Sequence, residues 1–113
     1  MSKKAVGDFG EKVAEDYIVN HGYRIVYKNW RCSYGEIDLV AYDSKNCLVF
    51  IEVKTCTQAE ILPYENFSRL KLAHLKRTIN IFLQTETEIE ISFNNWRLDL
   101  ITIESKIKHF KNV

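Results

Sequence analysis

GEIDLVAYDSKNCLVFIEVKT, Gly35 to Thr55, reads as two strands joined by a turn. Side chains on a strand alternate between faces, so Ile37, Leu39 and Ala41 are expected on one face and Glu36, Asp38 and Val40 on the other. Asp43 to Asn46 turns the chain back. The next strand, Cys47 to Lys54, is apolar on both faces through Ile51, as a central strand covered on two sides must be. It then places Glu52 and Lys54 on the face of Phe50. A carboxylate and an amine at the end of such a strand carry a desolvation cost, which a functional site explains better than a solvated face does. The plain alternative is a same-face ion pair of little energetic weight.

Working outward, Val6, Phe9, Val13 and Tyr17, with Ala14 and Ile18 beside them, recur at helical spacing from Ala5 to His21, and Gly22 is placed to end the helix. Tyr23 to Asn29 alternates apolar residues with Arg24 and Lys28 as a half-exposed strand, before a polar turn through Cys32, Ser33 and Gly35. Beyond Pro63 an irregular stretch leads into a helix from Ser68 to Leu83, striped by Leu72, Leu75, Ile79 and Phe82. Glu88 to Phe93 and Trp96 to Glu104 alternate as strands around a hairpin at Asn94 and Asn95. Lys106 to Val113 reads as a loose basic tail, and Trp30 and Trp96 as packing residues at element ends. The order is helix, three strands, helix, two strands. This predicts one α/β domain over residues 1–113, with a mixed central sheet flanked by helices.

Composition narrows the function classes. Of 113 residues, 46% are hydrophobic and 27% charged, and no apolar run approaches the roughly 20 residues that span a bilayer. The first residues lack an apolar signal core, so a cytoplasmic protein without membrane contact is expected. Cys32, Cys47 and Cys56 form no CxxC pair and the three histidines are scattered, which argues against both a disulfide framework and a zinc site. A net charge of +1 leaves any nucleic-acid binding to a local patch.

The chemistry centres on Asp38 and Glu52. Carboxylates opposed on adjacent antiparallel strands repel unless a proton or a cation intervenes. Mg²⁺ (or Mn²⁺) meets that need with a few carboxylate oxygens, a backbone carbonyl such as that of Val53, and waters. Lys54, two residues past Glu52, is placed to orient such a water or to steady charge developing on a phosphate, and Glu11 of the first helix to supply an outer carboxylate.

The blocks VGDFGEKVAEDYI, GYRIVYKNWR, GEIDLVAYD, LVFIEVKT and WRLDLITIE resemble successive blocks of the YraN family, a bacterial group within the PD-(D/E)XK nuclease-like superfamily. The resemblance spans nearly the whole chain. It implies a restriction-endonuclease-like αβββαββ fold and metal-dependent hydrolysis of phosphodiester bonds in nucleic acid, with DNA as the expected substrate class. Carried over by position, Asp38 and Glu52 are metal ligands, Lys54 is the catalytic lysine and Glu11 the helix carboxylate. Lys71 matches a lysine on the second helix, and with Lys28 and Arg31 makes up the expected nucleic-acid contacts. Related junction-handling enzymes often act as two-fold dimers, so a homodimer is implied. The sequence departs from the family at Cys56, where arginine is usual, and in the stretch from Thr57 to Phe67. Two further readings stand beside the nuclease: a nucleic-acid-binding or accessory protein that keeps the fold without turnover, and a protein-interaction module that uses strand edges.

Overall fold

A computed structural model of the chain describes residues 2–55, 68–89 and 96–113. Helix α1 (Lys3–Asn20) starts at Ser2, whose side chain accepts from the Ala5 N–H at 3.1 Å. It ends before Gly22, which takes φ +85°. Its buried line is Gly10, Ala14 and Ile18, at steps of four, and Phe9, expected within the apolar stripe, is 58% exposed. Helix α2 (Arg69–Thr85) is capped by Ser68 and buries Leu75, Thr78, Ile79 and Phe82.

Among the described residues, five strands lie in sequence order in one sheet: β1 (Arg24–Arg31), β2 (Glu36–Tyr42), β3 (Leu48–Thr55), β4 (Trp96–Ile103) and β5 (Ile107–Phe110). All neighbours are antiparallel except β3 and β4, which run parallel because the chain crosses over through α2 between them. The sheet is therefore mixed and carries a helix on each face. Leu39, Ala41, Val49, Ile51 and Ile101 pack with Ala14 and Ile18 of α1. Val40, Leu48, Phe50 and Leu98 pack with Leu75, Ile79 and Phe82 of α2. Burial on both faces explains why β3 is apolar throughout its first half.

Four expectations need correction. The tail is not loose: Ile107–Phe110 pairs with β4, and Val113 N–H donates to the Leu98 carbonyl at 2.9 Å. Ile37 does not share a face with Leu39, because it belongs to the α2-side cluster with Trp30. Strict alternation thus breaks across Asp38. The β1 strand also runs two residues past Asn29, which adopts φ 53° within it, and its register shifts between Ile25 and Tyr27. Of the expected strand Glu88–Phe93, Glu88 and Ile89 lie in a turn after α2, while the rest and the hairpin at Asn94 and Asn95 fall outside the described residues. Among the described residues the order is αβββαββ, with β5 as its last strand.

Trp30 is structural as expected. It is 8% exposed, its indole N–H donates to Glu86 at 3.0 Å, and its ring meets Phe82 edge-on at 5.1 Å. Cys32 is a free thiol. Among the described residues no helix is long and apolar enough to cross a membrane.

Candidate active site

The β2–β3 ladder stops at the Leu39–Ile51 pair. In place of a further backbone rung, the Asp38 carboxylate accepts from the Val53 N–H at 2.8 Å. The two strands therefore form a fork, with Asp38 in its crotch. A residue's N–H and C=O point to the same side of its strand, so the Val53 carbonyl also faces this fork. Glu52 and Lys54 follow from β3 by alternation on the α2 side.

Glu11 arrives from the other face because α1 sits hard against the end of β3. A Cβ built on Gly10 would collide with Thr55 Oγ1 and lie 3.0 Å from Thr55 Cβ. Only glycine permits that approach. Asn29 of β1 completes the corner: with its amide nitrogen turned toward the carboxylate, it donates to both oxygens of Glu11 at 3.1 and 3.3 Å.

Three carboxyls thus share one corner, and electrostatics sets their protonation. Burial and the Asp38 charge push Glu52 up to about 8, with Lys71 opposing. Burial and Asp38 push Glu11 up to about 7. Asp38 itself is raised by burial, against the hydrogen bonds from Val53, Glu11 and Glu52 that favour its charged form. The protonated glutamates donate to Asp38. Glu36 adds its negative charge to all three, and sequence reasoning gave it no role; its position on the Asp38 strand was the available signal.

The expected nucleic-acid contacts are each held by an acid. Lys71 Nζ lies 3.8 Å from Glu52, Lys28 Nζ 3.3 Å from Glu15, and Arg31 Nε 3.0 Å from Glu36. Lys71 is thereby brought to the site, whereas Lys28 and Arg31 stand at its periphery. Sequence reasoning missed a group beside Arg31. Tyr34 stacks on His74 at 4.5 Å, and the Arg77 guanidinium lies 4.8 Å from the Tyr34 ring centroid. Gly35 enables this docking, since a Cβ there would lie 2.7 Å from Thr78 Oγ1 and 2.9 Å from His74 Nε2. A hollow of about 430 Å³ lined by Arg31, Tyr34 and Glu36 opens alongside.

Among the described residues, no group of three or more His, Cys, Asp and Glu side chains is arranged to hold an ion on its own. The donors available to a cation are two carboxylates, one strand carbonyl and water, a set that suits a hard ion which keeps part of its hydration shell.

The profile described as "Uncharacterised protein family UPF0102" matches residues 10–103. The chain belongs to UPF0102. The matched span contains every candidate site residue, and it is the family to which the YraN-like blocks pointed. One UPF0102 relative, from Beutenbergia cavernae, is 35% identical over 119 residues, covering 99% of this chain and 98% of that protein. Another, from Caldicellulosiruptor bescii, is 42% identical over 84 residues, covering 74% and 70%. Among solved structures, a repair endonuclease from Pyrococcus abyssi matches with a TM-score of 0.49 at 12% identity, covering 90% of this chain and 38% of that one. A likeness of that size says nothing about chemistry.

Proposed function

We propose that this UPF0102 chain is a divalent-metal-dependent nuclease-like protein that hydrolyses phosphodiester bonds of nucleic acid, with DNA as the first substrate to test. The observation that carries this reading is the carboxyl cluster of Glu11, Asp38 and Glu52 at the β2–β3 fork, with Lys54 on the strand that bears Glu52. An acid corner that holds protons at neutral pH is one that a cation would relieve.

Asp38 and Glu52, with the Val53 carbonyl, are the donors for Mg²⁺ or Mn²⁺, and Glu11 is the outer carboxylate. The bound ion would supply an acidified water and neutralise phosphate charge. The chain's own contribution is positional. Asp38 is anchored by the Val53 N–H, and Glu11 is oriented by Asn29. Lys54 offers a compact ammonium to the charge that grows on the phosphate oxygens in the transition state. Lys71 would leave Glu52 for a substrate phosphate, joined by Lys28 and Arg31 from the rim.

A second reading, binding without turnover, is favoured by the lack, among the described residues, of a group of three or more His, Cys, Asp and Glu side chains arranged to hold an ion. One experiment separates the two. Wild type and Asp38→Asn are titrated with Mg²⁺ and Mn²⁺ and assayed on single-stranded, duplex and branched DNA. Metal-dependent cleavage by wild type and its loss in Asp38→Asn support the nuclease, whereas binding without cleavage on every substrate supports the alternative. Light scattering on the same samples tests for a homodimer.

A further inference from the structure

A second polar cluster lies at the other end of the sheet, about 16 Å along β2 from Asp38 at roughly 3.3 Å per residue. There a pocket of about 260 Å³ opens between the end of α1, the β2–β3 turn, the start of β4 and β5. Its floor is an ion network. Arg97 donates to Asp99 at 3.0 Å, to Asp43 at 2.8 Å and to the Tyr23 hydroxyl at 2.9 Å.

Both carboxylates are fully committed. Asp43 also accepts from the N–H groups of Lys45 and Cys47, each at 2.9 Å. Asp99, with no exposed surface, also accepts from Asn112 N–H at 2.9 Å and meets His109 Nε2 at 2.7 Å. Nε2 must carry a proton to meet a carboxylate, which leaves Nδ1 of the neutral ring to accept from the Tyr17 hydroxyl at 3.2 Å.

What remains for a ligand is donors. Among the described residues, neither Lys45 nor Lys111 has an ion-pair partner, and both stand exposed at the rim. The Tyr23 oxygen is the acceptor for Arg97, so its own proton is available to a ligand. Ser44 adds a hydroxyl. Beside these donors, the rings of Tyr17 and His21 stand 4.2 Å apart and give one wall an aromatic surface.

We propose that this pocket binds a phosphomonoester, with Lys45, Lys111 and Tyr23 on the phosphate and the rings of Tyr17 and His21 against the attached sugar. Its volume lies just below the roughly 300 Å³ at which pockets enclose drug-sized ligands, and so suits a sugar phosphate. The phosphate has two sources with the same chemistry: a free sugar phosphate, or the terminal phosphate of a nucleic-acid strand. The proposal does not depend on the nuclease reading, since no residue is shared between the sites.

The test is a ¹H–¹⁵N titration of the full chain with ribose 5-phosphate and with ribose, then with oligonucleotide duplexes carrying a 5′-phosphate or a 5′-hydroxyl. Saturable shifts at Ser44, Lys45 and Lys111 are expected with ribose 5-phosphate and not with ribose. The Lys45→Ala/Lys111→Ala double variant should fold normally, because both side chains are exposed, and bind at least about tenfold more weakly, since each removes a charge-assisted contact. Preference for the 5′-phosphorylated duplex over both the 5′-hydroxyl duplex and ribose 5-phosphate identifies the strand end as the source. Equal binding of ribose 5-phosphate and the phosphorylated duplex identifies the free ligand. Absence of saturable shifts with both phosphate-bearing probes, or unchanged affinity in the double variant, overturns the proposal.

Discussion

Replacing Glu52 by glutamine should stabilise this protein in alkaline solution, and the effect should vanish in acid. Burial and the neighbouring Asp38 hold the Glu52 carboxyl near 8 against 4.5 for the free side chain. The folded state therefore keeps a proton that the unfolded chain releases, so stability is full below about pH 4.5 and is lost as pH rises through about 8. At about 1.4 kcal/mol per pH unit, the ceiling on that loss is about 5 kcal/mol, and sharing of protons with Asp38 leaves about 2 to 4 kcal/mol for Glu52→Gln to recover. The lost pairing with Lys71 subtracts little: it spans 3.8 Å with the lysine 43% exposed, a pair worth under about 1 kcal/mol. Urea denaturation of both proteins from about pH 4.5 to pH 9 measures the difference directly. Curves that coincide near pH 4.5 and separate by pH 9, with the variant the more stable, are expected. A difference that does not change with pH, or a wild type more stable at pH 9, would refute the account of the carboxyl corner.

Lys54→Ala should leave the melting temperature nearly unchanged, because the side chain is only half-buried, and lower metal-dependent cleavage by about a hundredfold or more, with Lys54→Arg failing to restore it. Gly10→Ala should lose about 1 to 3 kcal/mol in urea denaturation, since the new methyl collides with Thr55, while Gly7→Ala, with open space around its Cβ, should gain up to about 1 kcal/mol from helix propensity. Asp99→Ala should lose about 3 to 5 kcal/mol by the same assay, because it leaves the half-buried Arg97 without one of its two carboxylates.

Much of the scaffold was legible because its signals are local. The apolar stripes of both helices and the doubly apolar run of β3 record contacts that repeat at a fixed period. The β5 strand was not legible: four residues in a basic context carry too little alternation, and pairing comes from β4 rather than from intrinsic preference. The face of Ile37 was misread because alternation assumes an unbroken strand, whereas the strand departs from it at Asp38, the residue on which the site turns. Asp38, Glu52 and Lys54 stood out as polar residues in a run that burial should have kept apolar. The contacts of Glu11 with Asn29, and of the basic residues with Glu15, Glu36 and Glu52, join elements distant in sequence, which periodicity does not encode.

The short final strand also bears on how the molecule stays apart from its own copies. From Leu98 to Ile103, β4 is buried at every position, and β5 covers the side of that strand away from β3. Removal of Ile107–Phe110 would turn a long strand that ends in the buried β-branched run Ile101, Thr102 and Ile103 into an open edge, the kind of template on which chains stack into aggregates. In its place the sheet presents a rim only four residues long that carries Lys108 and His109, while the opposite rim, β1, is interrupted by a register shift and studded with Arg24, Lys28 and Arg31. Brevity and charge on one side, irregularity and charge on the other, discourage sheet-to-sheet addition.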